Sequence, residues 1–90
     1  MAQPRYIKCK ILPGLFKTEF YVSVCGTSVY VDRAAVKVTR EPNGDTEGEG
    51  QVLAYIIDEG GEKDQALVEL AGEPVIGGLR TWVHKALVTA

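Results

Sequence analysis

Tyr21-Val22-Ser23-Val24-Cys25-Gly26 recurs 46 positions later as Leu67-Val68-Glu69-Leu70-Ala71-Gly72, and this recurrence decides how the 90-residue chain is read. In both stretches apolar side chains occupy every second place, the pattern of a strand with one buried face, and both close on a glycine suited to a turn. Moving outward, the same offset lays Tyr6-Ile7-Lys8-Cys9-Lys10-Ile11 on Val52-Leu53-Ala54-Tyr55-Ile56-Ile57, Gly14 on Gly60 and Lys17 on Lys63. Six extra residues then intervene, after which Tyr30-Val31-Asp32-Arg33-Ala34-Ala35-Val36 matches Trp82-Val83-His84-Lys85-Ala86-Leu87-Val88 at an offset of 52. Identities at Gly14/Gly60, Lys17/Lys63, Val22/Val68, Gly26/Gly72, Val31/Val83, Ala34/Ala86 and Val36/Val88 point to an internal duplication, and a repeat dictates the architecture.

Each copy reads as three strands. Residues 5–12 alternate Ile7, Cys9 and Ile11 against Tyr6, Lys8 and Lys10, and Pro13-Gly14 makes the turn. Residues 18–24 alternate Phe20, Val22 and Val24 against Glu19, Tyr21 and Ser23, with Gly26-Thr27-Ser28 turning the chain back. In the third strand, residues 29–38, the apolar parity switches from Val29 and Val31 to Val36 and Val38. That switch needs a bulge or a single helical turn near residues 32–35, and a longer helix from Asp32 is the competing reading. Gly60-Gly61 and Gly77-Gly78 read as hairpin turns. Two three-stranded units, each with one apolar face, are stable only face to face. The expectation is therefore one all-β domain over residues 1–90, a six-stranded barrel or sandwich made of pseudo-repeats 5–38 and 51–90 joined by an acidic linker at 41–50.

The segment Thr81-Trp82-Val83-His84-Lys85-Ala86-Leu87-Val88 resembles the closing segment of SH3-like barrels, in which an aromatic and an aliphatic residue precede a short turn and a last strand. His84 stands where such segments often carry proline, and the acidic ligand-binding loop of peptide-binding SH3 domains is absent. The resemblance implies a barrel type and carries no ligand with it.

Composition narrows the function classes. With 46% hydrophobic and 24% charged residues and a net charge of −2, the chain belongs with globular proteins. Its longest apolar run, around residues 52–57, is far below the roughly 20 residues of a membrane span. The N-terminus lacks the apolar core of a secretory signal, so a cytoplasmic location is expected. Cys9 and Cys25 fall on opposite faces of their strands and are not expected to pair. With His84 they make no CxxC or HxxxH spacing, so neither a metal nor a cofactor is expected. Nothing near Cys25 or His84 supplies an orienting acid or oxyanion hole, which argues against an enzyme. The linker's Asp45, Glu47 and Glu49 alternate without the frame of a calcium loop.

Three features point to binding. Residues 1–40 hold seven basic groups against two acidic ones, +5, whereas residues 41–90 hold three against ten, −7. Tyr30 and Trp82, at equivalent places, should face outward, Trp82 with Arg80 and His84 as a polar rim. The insertion brings Val75 and Ile76 into a loop, as a lid over the barrel end or as an interface. Together they predict a non-catalytic protein-interaction module, bound to a protein partner or to its own copies, with Trp82, Arg80, His84, Val75, Ile76 and Tyr30 as contacts. The alternative is a nucleic-acid binder using Tyr6, Lys8, Lys10 and Tyr21, basic groups interleaved with aromatics.

Overall fold

Period-two alternation produces strands wherever every second side chain can leave the water. In a computed structural model, which describes residues 3–59 and 64–89, this happens along nearly the whole chain. The strands are β1 (Gln3–Pro13), β2 (Glu19–Val24), β3 (Thr27–Asp32), β4 (Val36–Arg40), β5 (Gly48–Asp58), β6 (Gln65–Leu70), β7 (Glu73–Ile76), β8 (Arg80–His84) and β9 (Val88–Thr89). All join one antiparallel sheet in the order β7-β3-β2-β1-β5-β6-β8, with β4 also on β5 and β9 also on β1. The sheet curls into a half-barrel, so of the expected barrel or sandwich the chain takes the barrel-like form. Its concave side buries Ile7, Ile11, Phe20, Val22, Val29, Val31, Val52, Val68 and Val83, each at most 1% exposed.

Nine strands replace the expected six for two local reasons. First, the third strand of each half is cut by a 3₁₀ turn, Arg33–Ala35 and Lys85–Leu87. The parity switch is thus a single helical turn, and no longer helix grows from Asp32. Each turn is capped in the same way: Asp32 Oδ1 accepts from the Ala34 N–H at 2.8 Å, and His84 Nδ1 accepts from the Ala86 N–H at 3.0 Å. Val36 is buried beyond the first turn as expected, but Val38 is 39% exposed.

The second reason is the six-residue insertion. It is neither lid nor hairpin loop: Glu73–Ile76 forms β7, which crosses to pair with β3, Tyr30 opposite Glu73 and Ser28 opposite Ile76. Gly77 and Gly78, both at positive φ, therefore connect strands that do not pair with each other. Gly72 makes the crossing possible. Its φ is +135°, and a Cβ there would lie 2.5 Å from the Tyr30 carbonyl oxygen.

Other boundaries moved for similar reasons. The β2–β3 turn is the two-residue Cys25-Gly26, with φ of +48° and +81°, and Thr27 and Ser28 are buried inside β3. Paired positive φ values match the twist of a tight hairpin better than the expected three-residue turn. The acidic linker ends early, because β5 begins at Gly48. Gly60, Gly61 and Lys63 lie outside the described residues.

Pairing registers in the two halves correspond. Glu19 opposite Asp32 becomes Gln65 opposite His84 after offsets of 46 and 52. For β1 and β5 the offset is 45: Ile7 opposite Val88 on β9 corresponds to Val52 opposite Val36 on β4. An irregularity between Ile56 and Asp58 in β5 absorbs the one-residue difference. Ile7 and Val52, both fully buried, lie opposite each other in the β1–β5 ladder, whereas the sequence alignment had placed Tyr6 on Val52.

Candidate partner-binding surface

The hydrogen-bonding phase of the ladder determines what β8 presents to solvent. The Lys85 N–H donates to the Asp64 carbonyl at 2.7 Å and the Leu70 N–H to the Leu79 carbonyl at 2.8 Å. Hydrogen-bonded positions alternate in an antiparallel ladder, so Thr81 and Val83 bond to β6. The main-chain groups of Arg80 and Trp82 consequently point away from β6, along an edge that has no paired strand among the described residues.

Trp82 is 40% exposed on this terminal strand. Arg80 is exposed beside it and donates from Nε to Glu69 Oε1 at 3.0 Å, a surface pair with little effect on stability. His84 is exposed too, but its Nδ1 is committed to capping the 3₁₀ turn. Tyr30, at the position equivalent to Trp82, is half-buried, and its ring meets Tyr21 edge-on with centroids 5.4 Å apart. Val75 is 45% exposed on β7, at the other end of the strand order from β8. The side chain of Ile76 lies outside the described residues. The expected contacts therefore divide between β8 and the β3–β7 edge.

The basic residues of the alternative site share the convex face of β1 and its neighbours. Lys10 Nζ lies 2.9 Å from Glu49 Oε1, and Arg40 Nη2 lies 3.8 Å from the same oxygen. The hydrogen bond and charge of Lys10, with Arg40 behind it, hold the Glu49 carboxyl below its ordinary pKa. Lys37 Nζ sits 4.0 Å from the centroid of the Tyr6 ring, a cation–π contact. Tyr21 is engaged with Tyr30, while Lys8 is exposed.

A cavity of about 520 Å³ opens where β1 passes from β9 to β2, lined by Lys8, Cys9, Val24, Cys25, Glu49 and Leu87 among others. Both cysteines are free and line it together, although strand alternation had set them on opposite faces. The positive φ of Cys25 takes it out of that alternation. Burial pushes the Cys9 thiol up to about 12, with a hydrogen bond from the Val52 backbone opposing, so it stays protonated and a poor nucleophile at neutral pH. Among the described residues no three His, Cys, Asp or Glu side chains gather as metal ligands.

Two apolar residues escaped the sequence reading. Leu15 and Phe16, 72% and 69% exposed, cap the β1–β2 hairpin. Their loop is fastened by the Leu15 N–H to Glu19 Oε1 at 3.1 Å, the Glu19 N–H to the Phe16 carbonyl at 3.2 Å and Arg33 Nε to the Lys17 carbonyl at 2.7 Å. An adjacent Leu-Phe pair following Pro13-Gly14 was the available signal, since such a loop has no strand face in which to bury them. No family model, curated protein or solved structure matches the chain.

Proposed function

We propose that the chain is one β unit written twice, each copy lending its last strand to the first strand of the other, and that it serves as a small non-catalytic protein-interaction module within a larger assembly. The reciprocal pairing of β4 with β5 and β9 with β1 supports the first part. The observation that carries the second is Trp82, a large ring 40% exposed on β8 at one end of the strand order, beside main-chain groups without a strand partner among the described residues. The remaining exposed part of the indole is on the order of 100 Å², worth about 2–3 kcal/mol when a partner covers it. Affinity purification with wild-type and Trp82→Ala protein tests this reading: partners should be depleted roughly tenfold or more by the substitution. Every partner surviving Trp82→Ala unchanged would refute it.

A nucleic-acid reading draws support from Lys8, Lys10, Lys37 and Tyr6 on one face. Glu49, which faces both Lys10 and Arg40, weakens it by neutralising charge where phosphate would bind.

A further inference from the structure

The equivalent third strands of the two halves, β3 and β8, differ in one respect. On β3, the Arg33 N–H to the Thr18 carbonyl at 2.9 Å sets the same phase that Lys85 and Asp64 set on β8, so Val29 and Val31 bond β2 while Ser28 and Tyr30 turn their main chain outward. Those outward groups are taken by β7, Tyr30 against Glu73 and Ser28 against Ile76. Pro74 falls opposite Val29, whose own groups face the other way, so its missing N–H is not needed. At the offset of 52, Ser28 and Tyr30 become Arg80 and Trp82. Among the described residues no strand meets their outward donors and acceptors; the Thr81 hydroxyl approaches the Trp82 carbonyl at a limiting 3.5 Å.

We infer that the open side of β8 is a strand-addition site that accepts an extended, acidic and β-branched peptide segment of a protein partner, docked antiparallel as β7 docks on β3. The inference rests on the interaction-module reading above and specifies its partner. Two observations select this occupant. The first is the internal precedent of Glu73-Pro74-Val75-Ile76, which sets an acid opposite the ring-bearing residue of β3. The second is charge: β8 and the turn after it carry Arg80 and Lys85 and no acid, and although Glu69 of β6 pairs with Arg80, Lys85 adds a second cation beside the open edge. A second copy fits less well, because antiparallel pairing of two β8 strands about Trp82 sets Arg80 against His84 and brings no acid beyond the Glu69 that Arg80 already holds. Main-chain hydrogen bonds give such a site its affinity, and Trp82 with its basic flanks gives selectivity.

The test uses the full chain, ¹⁵N-labelled, titrated with the acetylated synthetic peptide Gly-Glu-Pro-Val-Ile-Gly and with the same peptide N-methylated at Glu. Expected are saturable shifts at the Arg80 and Trp82 amides, with dissociation in the roughly millimolar range for so short a ligand. Exchange of these two amides should slow, while Thr81 and Val83, already bonded to β6, change little. N-methylation should weaken binding about tenfold or more. Arg80→Pro removes one outward N–H and the side-chain pair with Glu69 but no main-chain bond to β6 and should weaken binding more than Arg80→Ala, which keeps the N–H, with thermal melting confirming both folds; if the proline variant unfolds, the wild-type titration still decides. The inference is overturned by no β8 response at about 5 mM peptide, by equal binding of the N-methylated peptide, or by sedimentation showing dimers in which the same amides are already protected. If the peptide fails while Trp82→Ala still removes partners, strand addition is wrong and the interaction module stands; if the peptide binds and Trp82→Ala leaves partners in place, strand addition stands and Trp82 is not the anchor of that module.

Discussion

Cys9 lies on β1 and Cys25 in the turn that ends the neighbouring β2, yet their thiols should react very differently. Burial lifts the Cys9 thiol from 9.0 to about 12, so its thiolate fraction at pH 8 falls by roughly three orders of magnitude relative to an ordinary thiol. Cys25 is exposed at a hairpin turn. Adding an aromatic disulfide reagent to the native protein should release one equivalent of chromophore rapidly and a second very slowly. In the Cys25→Ser variant only the slow phase should remain, about 10³ slower than for the same variant in denaturant. The thiol also links to stability. Its folded pKa lies above the unfolded one, so between about pH 9 and 12 the native state keeps a proton that the unfolded chain has lost, and stability falls as pH rises. The slope is at most about 1.4 kcal/mol per pH unit and should vanish in Cys9→Ser. A Cys25→Ser protein labelled within tenfold of its denatured rate would refute the inward placement of Cys9 and, with it, the packing of β1.

Other expectations concern individual contacts. Ile7→Ala, at a fully buried site opposite Val52, should lower unfolding free energy by about 2–5 kcal/mol in chemical denaturation, whereas Leu15→Ser at the exposed hairpin tip should stay within roughly 0.5 kcal/mol. His84→Ala should cost about 0.5–2 kcal/mol through the lost 3₁₀ cap, and His84→Asp, copying Asp32, should restore most of it in the same assay. Gly72→Ala should destabilise far more than Gly26→Ala: both glycines have positive φ, but only at Gly72 would a Cβ meet backbone, and thermal melts would rank them. If the basic face binds nucleic acid, Glu49→Gln should strengthen a salt-sensitive complex with labelled single-stranded RNA or DNA; unchanged or absent binding at low salt would count against that surface.

In the first half up to Val31, most of the concave face was legible from alternation. Ile7, Ile11, Phe20, Val22, Val24, Val29 and Val31 occupy it because a strand with one buried face must alternate, and alternation can be read from a few consecutive residues. The interruption after Asp32 was legible for the same reason, since the two halves of the third strand cannot keep one face without a local turn. Trp82 could be assigned to the convex side from its neighbour Val83, but its place at an open edge could not.

What the sequence by itself determined is therefore the all-β class, the buried faces of the first strands and the break in each third strand, all consequences of side-chain spacing along a local backbone. Tertiary structure alone decided that β7 would leave its own half to cover β3, that β4 and β9 would pair across the halves, that one extra residue would be absorbed near Ile57, and that β8 would end the strand order among the described residues. Main-chain donors and acceptors are the same in every strand, so the choice of neighbour depends on which edges the folded chain brings within reach, and that depends on contacts between residues far apart in sequence.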